Sequence, residues 1–245
     1  MRRTLIGLTA MFITTTTAMA AEMTEAEREV FRSEIRAYLL ENPEVLVEAM
    51  EVLQGKQESD AANRDLAMLE DNADLIFNDP NSWVGGNPDG DITVVEFTDY
   101  RCGYCRKAHD EVAELIKSDG NIRFVLKEFP ILGEQSLLSS QFAISVRRLY
   151  GDDAYKLAHD ALITLRGDAT PEALVRLATD LGHDPAAITA QMASPEVQAI
   201  IDANHALATT MEINGTPTFV IDKTMVRGYV PLEGMRQIVA GQRAG

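Results

Sequence analysis

The chain has 245 residues with 22 basic and 38 acidic side chains, a formal charge of −16. That length suits one large domain or one domain with an appendage, and 46% hydrophobic residues against 24% charged suffice for a core. Strong net acidity argues against nucleic acid or anionic lipid as partner, since both are met first through Lys and Arg. Two cysteines close one bridge at most, so packing rather than disulfides must hold the fold.

Residues 1–20 read as a secretory signal peptide. Arg2 and Arg3 make a positive start, Leu5 to Ile13 a short apolar core, and Ala18-Met19-Ala20 a small-x-small cleavage site. The rival is a membrane anchor, but the uncharged stretch from Thr4 to Ala21 is diluted by threonine, whereas a spanning helix needs roughly 20 mainly apolar residues. An exported chain works where disulfides persist.

Residues 21–79 form an acidic, helical N-terminal extension with 16 Asp/Glu against 5 Lys/Arg. Thr24-Glu25-Ala26-Glu27 is a capping box, followed by an apolar stripe of Phe31, Ile35, Tyr38 and Leu39. Asn42-Pro43 predicts a restart, with Asn42 as N-cap and Pro43 in the first turn; Leu46, Met50 and Leu53 continue the stripe. After Gly55 a third segment sets Ala62, Leu66, Leu69, Ala73 and Ile76 at alternating steps of four and three, a two-heptad seam. The seam either packs on the chain's own main domain or joins copies of the protein, and self-association is the expectation carried forward.

Turn-rich sequence at Asn78–Ser82 and Gly85–Gly90 marks the start of the main domain, residues 80–245. Ile92 to Phe97 predicts a strand, Arg101 to Lys117 a helix, and Ile122 to Phe129 a second strand. Residues from about 134 to 211 read as a helical insertion. Within it Thr170-Pro171 and Ser194-Pro195 read as N-caps followed by proline at the first helical position. Pro217 to Asp222 and Met225 to Gly228 predict a hairpin, and Leu232 to Ala240 a closing helix. The order is that of an α/β sandwich carrying a helical insertion.

Both cysteines fall in Cys102-Gly103-Tyr104-Cys105, where a strand gives way to a helix. Two intervening residues bring the sulfurs within bonding reach across the first helical turn. The helix N-terminus favours a thiolate over a thiol, and Arg101, Arg106 and Lys107 push the same way. Cys105, Ala108, Val112 and Leu115 lie on one stripe, so Cys105 is the buried sulfur and Cys102 the exposed tip. Cys102 is then the sulfur that attacks or receives a substrate disulfide, and Cys105 the one that resolves the mixed disulfide. A structural disulfide is a weaker reading, because so short a loop constrains the unfolded chain little. Zinc would need ligands from His109, His159, His183 or His205, and haem attachment fails because residue 106 is Arg. A soft-metal, copper-type site using Cys102 and Cys105, with His109 as an optional further ligand, is the alternative function. Asn214-Gly215-Thr216 formally matches a glycosylation sequon, though its place beside Pro217 favours a turn.

Val94-Val95-Glu96-Phe97-Thr98-Asp99-Tyr100-Arg101-Cys102-Gly103-Tyr104-Cys105 resembles the active-site strand and helix of the DsbA family of periplasmic thioredoxin-fold proteins. Lys127-Glu128-Phe129-Pro130-Ile131-Leu132-Gly133 and Asn214-Gly215-Thr216-Pro217-Thr218-Phe219 resemble the same family's second strand and proline loop. The Gly-Tyr dipeptide and the helical extension are most similar to the suppressor-of-copper-sensitivity C (ScsC-like) branch. The resemblance implies a thioredoxin fold, a cis Thr216-Pro217 bond facing the cysteines, and a buried acid at Glu96 able to take the proton of Cys105. It further implies a periplasmic isomerase or reductase acting on protein thiols and disulfides, a membrane redox partner that resets the pair, and trimers built through the extension. No organic cofactor or metal is required, since the cysteine pair carries both electrons.

Overall fold

The computed structural model describes residues 23–244; the signal peptide expected at residues 1–20 lies outside them. In sequence the chain divides into two compact units between Gln57 and Glu58. Among the described residues no helix is long and apolar enough to cross a membrane.

In the first unit, α1 (Glu25–Glu41) opens on the capping box: the Glu27 amide donates to Thr24 Oγ1 at 3.3 Å, and the Thr24 amide donates to Glu27 Oε2 at 2.7 Å. Asn42 closes this helix rather than opening the next, because its side-chain amide donates to the Tyr38 carbonyl at 2.9 Å. Helix α2 (Glu44–Asp71) then runs unbroken through Gly55. A mid-helix glycine costs only about 1 kcal/mol relative to Ala, too little to interrupt a 28-residue helix. No residue of α1 is buried, and Phe31, Ile35, Tyr38, Leu46, Met50 and Leu53 are all exposed.

The second unit begins inside α2. Leu69, and Ile76 of α3 (Ala73–Phe77), are buried in a cluster with Val95, Phe97, Val125, Phe129 and Val220. The later half of the heptad seam therefore packs on the chain's own core. A two-pronged ion pair between Asp65 and Arg227 (2.7 and 2.9 Å) holds the same stretch. Residues 58–79 accordingly belong to the compact unit, so the division falls well before Asp79.

Five strands form one sheet: β1 (Trp83–Gly86), β2 (Ile92–Thr98), β3 (Ile122–Glu128), β4 (Thr218–Ile221) and β5 (Thr224–Arg227), in the order β1-β3-β2-β4-β5. Central β2 runs parallel to β3 and antiparallel to β4, with Glu96 opposite Leu126 and Phe219. Sequence patterning predicts turn where β1 lies. The strand is masked by its two glycines, of which Gly86 is required by close backbone approach. A Cβ on Gly86, at φ +69°, would sit 2.3 Å from the Ile122 carbonyl oxygen.

Helix α4 (Gly103–Asp119) crosses from β2 to β3. The insertion comprises α5 (Glu134–Tyr150), α6 (Asp152–Ile163), α7 (Pro171–Asp180), α8 (Pro185–Met192) and α9 (Pro195–Thr210), and α10 (Leu232–Ala244) closes the chain. Thr170, Asp184 and Ser194 each cap a helix that begins with proline. Strand alternation sorts the core into two faces. Val94, Phe124 and Leu126 pack with both cysteines, whereas Val95, Phe97 and Val125 pack against Leu69 and Ile76. The same alternation turns Glu96 and Glu128 toward the cysteine face and Lys127 away from it.

Candidate active site

Asp99 builds the turn from β2 into α4. Its Oδ1 accepts from the Arg101 amide (2.8 Å), its Oδ2 from the amides of Ile131 (2.8 Å) and Leu132 (3.0 Å), and its carbonyl from the Cys102 amide (3.0 Å). One buried carboxylate thus pins the loop after β3 beneath the cysteine turn. Cys102 follows as the N-cap of α4, and Cys105, Ala108, Val112 and Leu115 form the helix's buried stripe.

The sequence expects Cys102 at an exposed tip. It is instead 7% exposed, against 1% for Cys105, because the proline loop lies over it. As a thiol, Cys102 donates to the Thr216 carbonyl oxygen at 3.1 Å. The Thr216–Pro217 bond is cis, and the loop is fixed by Thr218 Oγ1 donating to the Gly215 carbonyl (2.8 Å) and the Gly228 amide donating to the Pro217 carbonyl (2.9 Å). Gly103, Tyr104, Asn214 and Gly215 are exposed around Cys102, and Thr216 is half-buried. Approach to its sulfur is therefore from this rim.

Electrostatics separates the two sulfurs. Hydrogen bonding from the Cys105 thiol lowers the Cys102 pKa to about 5; burial opposes it, and the Thr216 side chain with the amides of Cys105 and Tyr104 adds to it. Cys105 is pushed up by that same bond to Cys102, by burial, and by the Glu96 charge. Glu96 is 5% exposed, and burial carries its carboxyl up to about 8, reinforced by the charges of Cys102 and Glu128. At neutral pH the site therefore holds a Cys102 thiolate, a Cys105 thiol and a mostly protonated Glu96.

Behind this lies a polar network with no signature in the sequence. Buried Glu128 accepts from Tyr100 Oη (2.8 Å), Tyr155 Oη (2.6 Å) and Ser140 Oγ (2.7 Å), and Tyr100 Oη lies 3.1 Å from His159 Nδ1. Its members come from the cysteine turn, β3, α5 and α6, so no spacing connects them; only the alternation of β3 marks Glu128 as inward-facing. His109 does not stand with the sulfurs. Among the described residues its donor atom groups with those of His159 and Asp160, and no such group includes a cysteine. A copper-type site at Cys102 and Cys105 would therefore draw on the two sulfurs without His109. His183 stacks on Tyr150 and His205 lies against Phe129, each away from the cysteines' partners.

A strand–turn–helix carrying two cysteines of opposed acidity, faced by a cis-proline loop and underlaid by a buried acid, defines a thioredoxin-type site. Comparison with known proteins agrees. A thioredoxin family model matches residues 78–240, and the model of the copper resistance protein ScsC N-terminal domain matches residues 27–59. The chain belongs to the thioredoxin family, and within it is an ScsC-like, DsbA-type protein. A thioredoxin-like oxidoreductase from Silicibacter pomeroyi DSS-3 is 41% identical, covering 70% of this chain and 98% of its own, with a TM-score of 0.66. Proteus mirabilis ScsC in a transitional conformation is 25% identical, covering 91% of this chain and 98% of its own, with a TM-score of 0.66. A Na+/H+ antiporter, NhaA 1 of Salinispora arenicola, is 28% identical over 163 residues, or 66% of this chain. The chain spans about a quarter of the length of the curated relatives it matches.

Proposed function

We propose that the chain is a periplasmic thiol–disulfide oxidoreductase that exchanges disulfides with polypeptide substrates through Cys102 and Cys105, working as a disulfide isomerase or reductase. The observation that carries this reading is the opposed acidity of the two sulfurs, with Cys102 near 5 and Cys105 raised. The Cys102 thiolate attacks one sulfur of a substrate disulfide; that S–S bond breaks, one substrate cysteine leaves as thiolate, and a mixed disulfide remains. Forming the mixed disulfide removes the Cys102 charge that helps keep Glu96 protonated, so Glu96 releases its proton to solvent, takes the Cys105 proton and frees Cys105 to attack the Cys102 sulfur. The Cys102–Cys105 disulfide forms and the second substrate thiolate leaves, so the substrate gains the two electrons that the pair loses. In isomerisation a substrate thiol displaces Cys102 before that step, and no net electrons move. A stabilised thiolate favours the reduced pair, which suits attack on misplaced substrate disulfides in isomerisation; net reduction depends on a partner potent enough to keep resetting the pair. After net reduction a membrane redox partner restores the thiols.

The exposed apolar side chains of α1 and α2, together with the ScsC N-terminal domain match at residues 27–59, support self-association through the extension, with trimers as the expectation from the resemblance. Insulin reduction and rescue of scrambled ribonuclease test the proposal. Both are expected with the purified chain and lost with Cys102→Ser; activity surviving that substitution would overturn it.

A further inference from the structure

On the cysteine face of the sheet, α4 and α6 enclose a cavity of about 180 Å³ lined by Glu96, Phe124, His109, Lys156 and His159. Beside it, His109 from α4 and His159 and Asp160 from α6 each bring one donor atom within 4.8 Å of the other two. His109 Nε2 and Asp160 Oδ1 are 3.4 Å apart. That is about the edge of a tetrahedron whose metal–ligand bonds are ~2.0–2.1 Å long.

Hydrogen bonding decides which nitrogen of His159 is free. Tyr100 Oη has one proton and donates it to Glu128 at 2.8 Å. With Glu128 ionised, the His159 Nδ1 atom 3.1 Å from that oxygen carries the ring proton and donates it, which leaves Nε2 as a bare lone pair. A histidine held at one nitrogen by a hydroxyl–carboxylate relay, with the other nitrogen open, is the outer-shell arrangement of metal-ligating histidines. One charge opposes a cation here: Lys156 Nζ donates to both carboxylate oxygens of Asp160, at 2.7 Å to Oδ1 and 2.5 Å to Oδ2. This i,i+4 pair is substantially exposed on both sides, so the ammonium can turn to solvent at little cost.

We propose that His109, His159 and Asp160 form a binding site for a divalent transition-metal ion, with Zn(II) the best match to two imidazoles and one carboxylate, and the cavity leaving the fourth position to water. The site uses neither cysteine.

Zn(II) binding is measured on untagged protein carrying Cys102→Ala and Cys105→Ala, so that thiolates cannot contribute. One equivalent is expected to be retained. His109→Gln and Asp160→Asn should each weaken binding by at least the ~10–100-fold that loss of an outer-shell partner costs, and Tyr100→Phe by ~10–100-fold. Lys156→Gln should strengthen it. His109, Asp160 and Lys156 are not fully buried, so these variants keep the core, and circular dichroism checks that they do. Co(II) in the same protein should show the visible bands of tetrahedral nitrogen–oxygen ligation. Failure of the cysteine-free chain to retain Zn(II) stoichiometrically would overturn the proposal, as would retention unchanged by His109→Gln and Asp160→Asn.

Discussion

Glu96 and Glu128 sit on neighbouring parallel strands, two residues apart in register, both buried and both turned toward the cysteine face. Their fates differ because their partners differ. Glu128 receives three hydroxyl donors, whereas burial, aided by the charges of Cys102 and Glu128, drives the Glu96 pKa up to about 8. One acid anchors the helical insertion to the sheet; the other is the one proposed to take the proton of Cys105.

Replacing that acceptor should separate chemistry from stability. A raised carboxyl pKa contributes stability that is fully present below the unfolded value of about 4.3 and is lost as pH rises through about 8. Glu96→Gln should therefore equal the wild type in acid and exceed it in urea resistance at about pH 9, both proteins being reduced. Resolution of the mixed disulfide should slow, by up to the ~10²-fold at the low end of general acid–base catalysis, and lose the inflection that ionisation of the Glu96 carboxyl gives its pH profile. Stopped-flow rates across pH check the second point, and an unchanged profile would remove Glu96 from the mechanism.

Tyr155 tests the anchoring acid. Its hydroxyl donates to Glu128 Oε1 at 2.6 Å, so Tyr155→Phe leaves a buried carboxyl one donor short, a loss of about 1–3 kcal/mol. Burial raises the Glu128 pKa to about 7 against its three hydroxyl donors. The loss should therefore be largest above neutrality, where the group is ionised, and smaller below about pH 6. Urea melts at both ends of that range read it directly.

On the opposite face, Lys127 is 1% exposed and donates to Asp79 Oδ2 (2.8 Å) and Ser82 Oγ (2.9 Å). Burial disfavours the lysine's charge more than Asp79 restores it, so its pKa falls. Burial also opposes the Asp79 charge, yet Lys127, the Asn81 amide and the Ser82 hydroxyl together bring that carboxyl below its usual value. Asp79→Asn strands a buried ammonium and should cost about 3 kcal/mol, whereas Lys127→Met, which removes the charge itself, should cost far less. Equal losses in thermal denaturation would contradict this account of the pair.

The parts of the site legible in the sequence are those that local geometry encodes. The strand–helix turn and the stripe through Cys105 follow from periodicity within a few residues, whereas alternation beside Val95 and Phe97 leaves Glu96 free to face solvent and only the family resemblance places it inward. Thr216 and Pro217 were legible only through the family resemblance. Nothing local could reveal that Asp99 ties down Ile131 and Leu132, or that Tyr100, Glu128 and His159 converge, since chain folding alone joins them. β1 was hidden because the glycine that lets it approach β3, Gly86, is also a turn residue. The heptad seam was ambiguous for a different reason: Leu69 and Ile76 satisfy a coiled-coil pattern and a core-packing pattern equally well.

The central claim is that Cys102 is a thiolate at physiological pH while Cys105 stays protonated. A titration of thiolate ultraviolet absorbance on the reduced chain, repeated on Cys102→Ser, tests it most directly. The account predicts a single midpoint near pH 5 that vanishes in the variant, with no second midpoint below the ordinary cysteine value of about 8.5. A first midpoint at about 8.5 or above, or one that survives loss of Cys102, would contradict it.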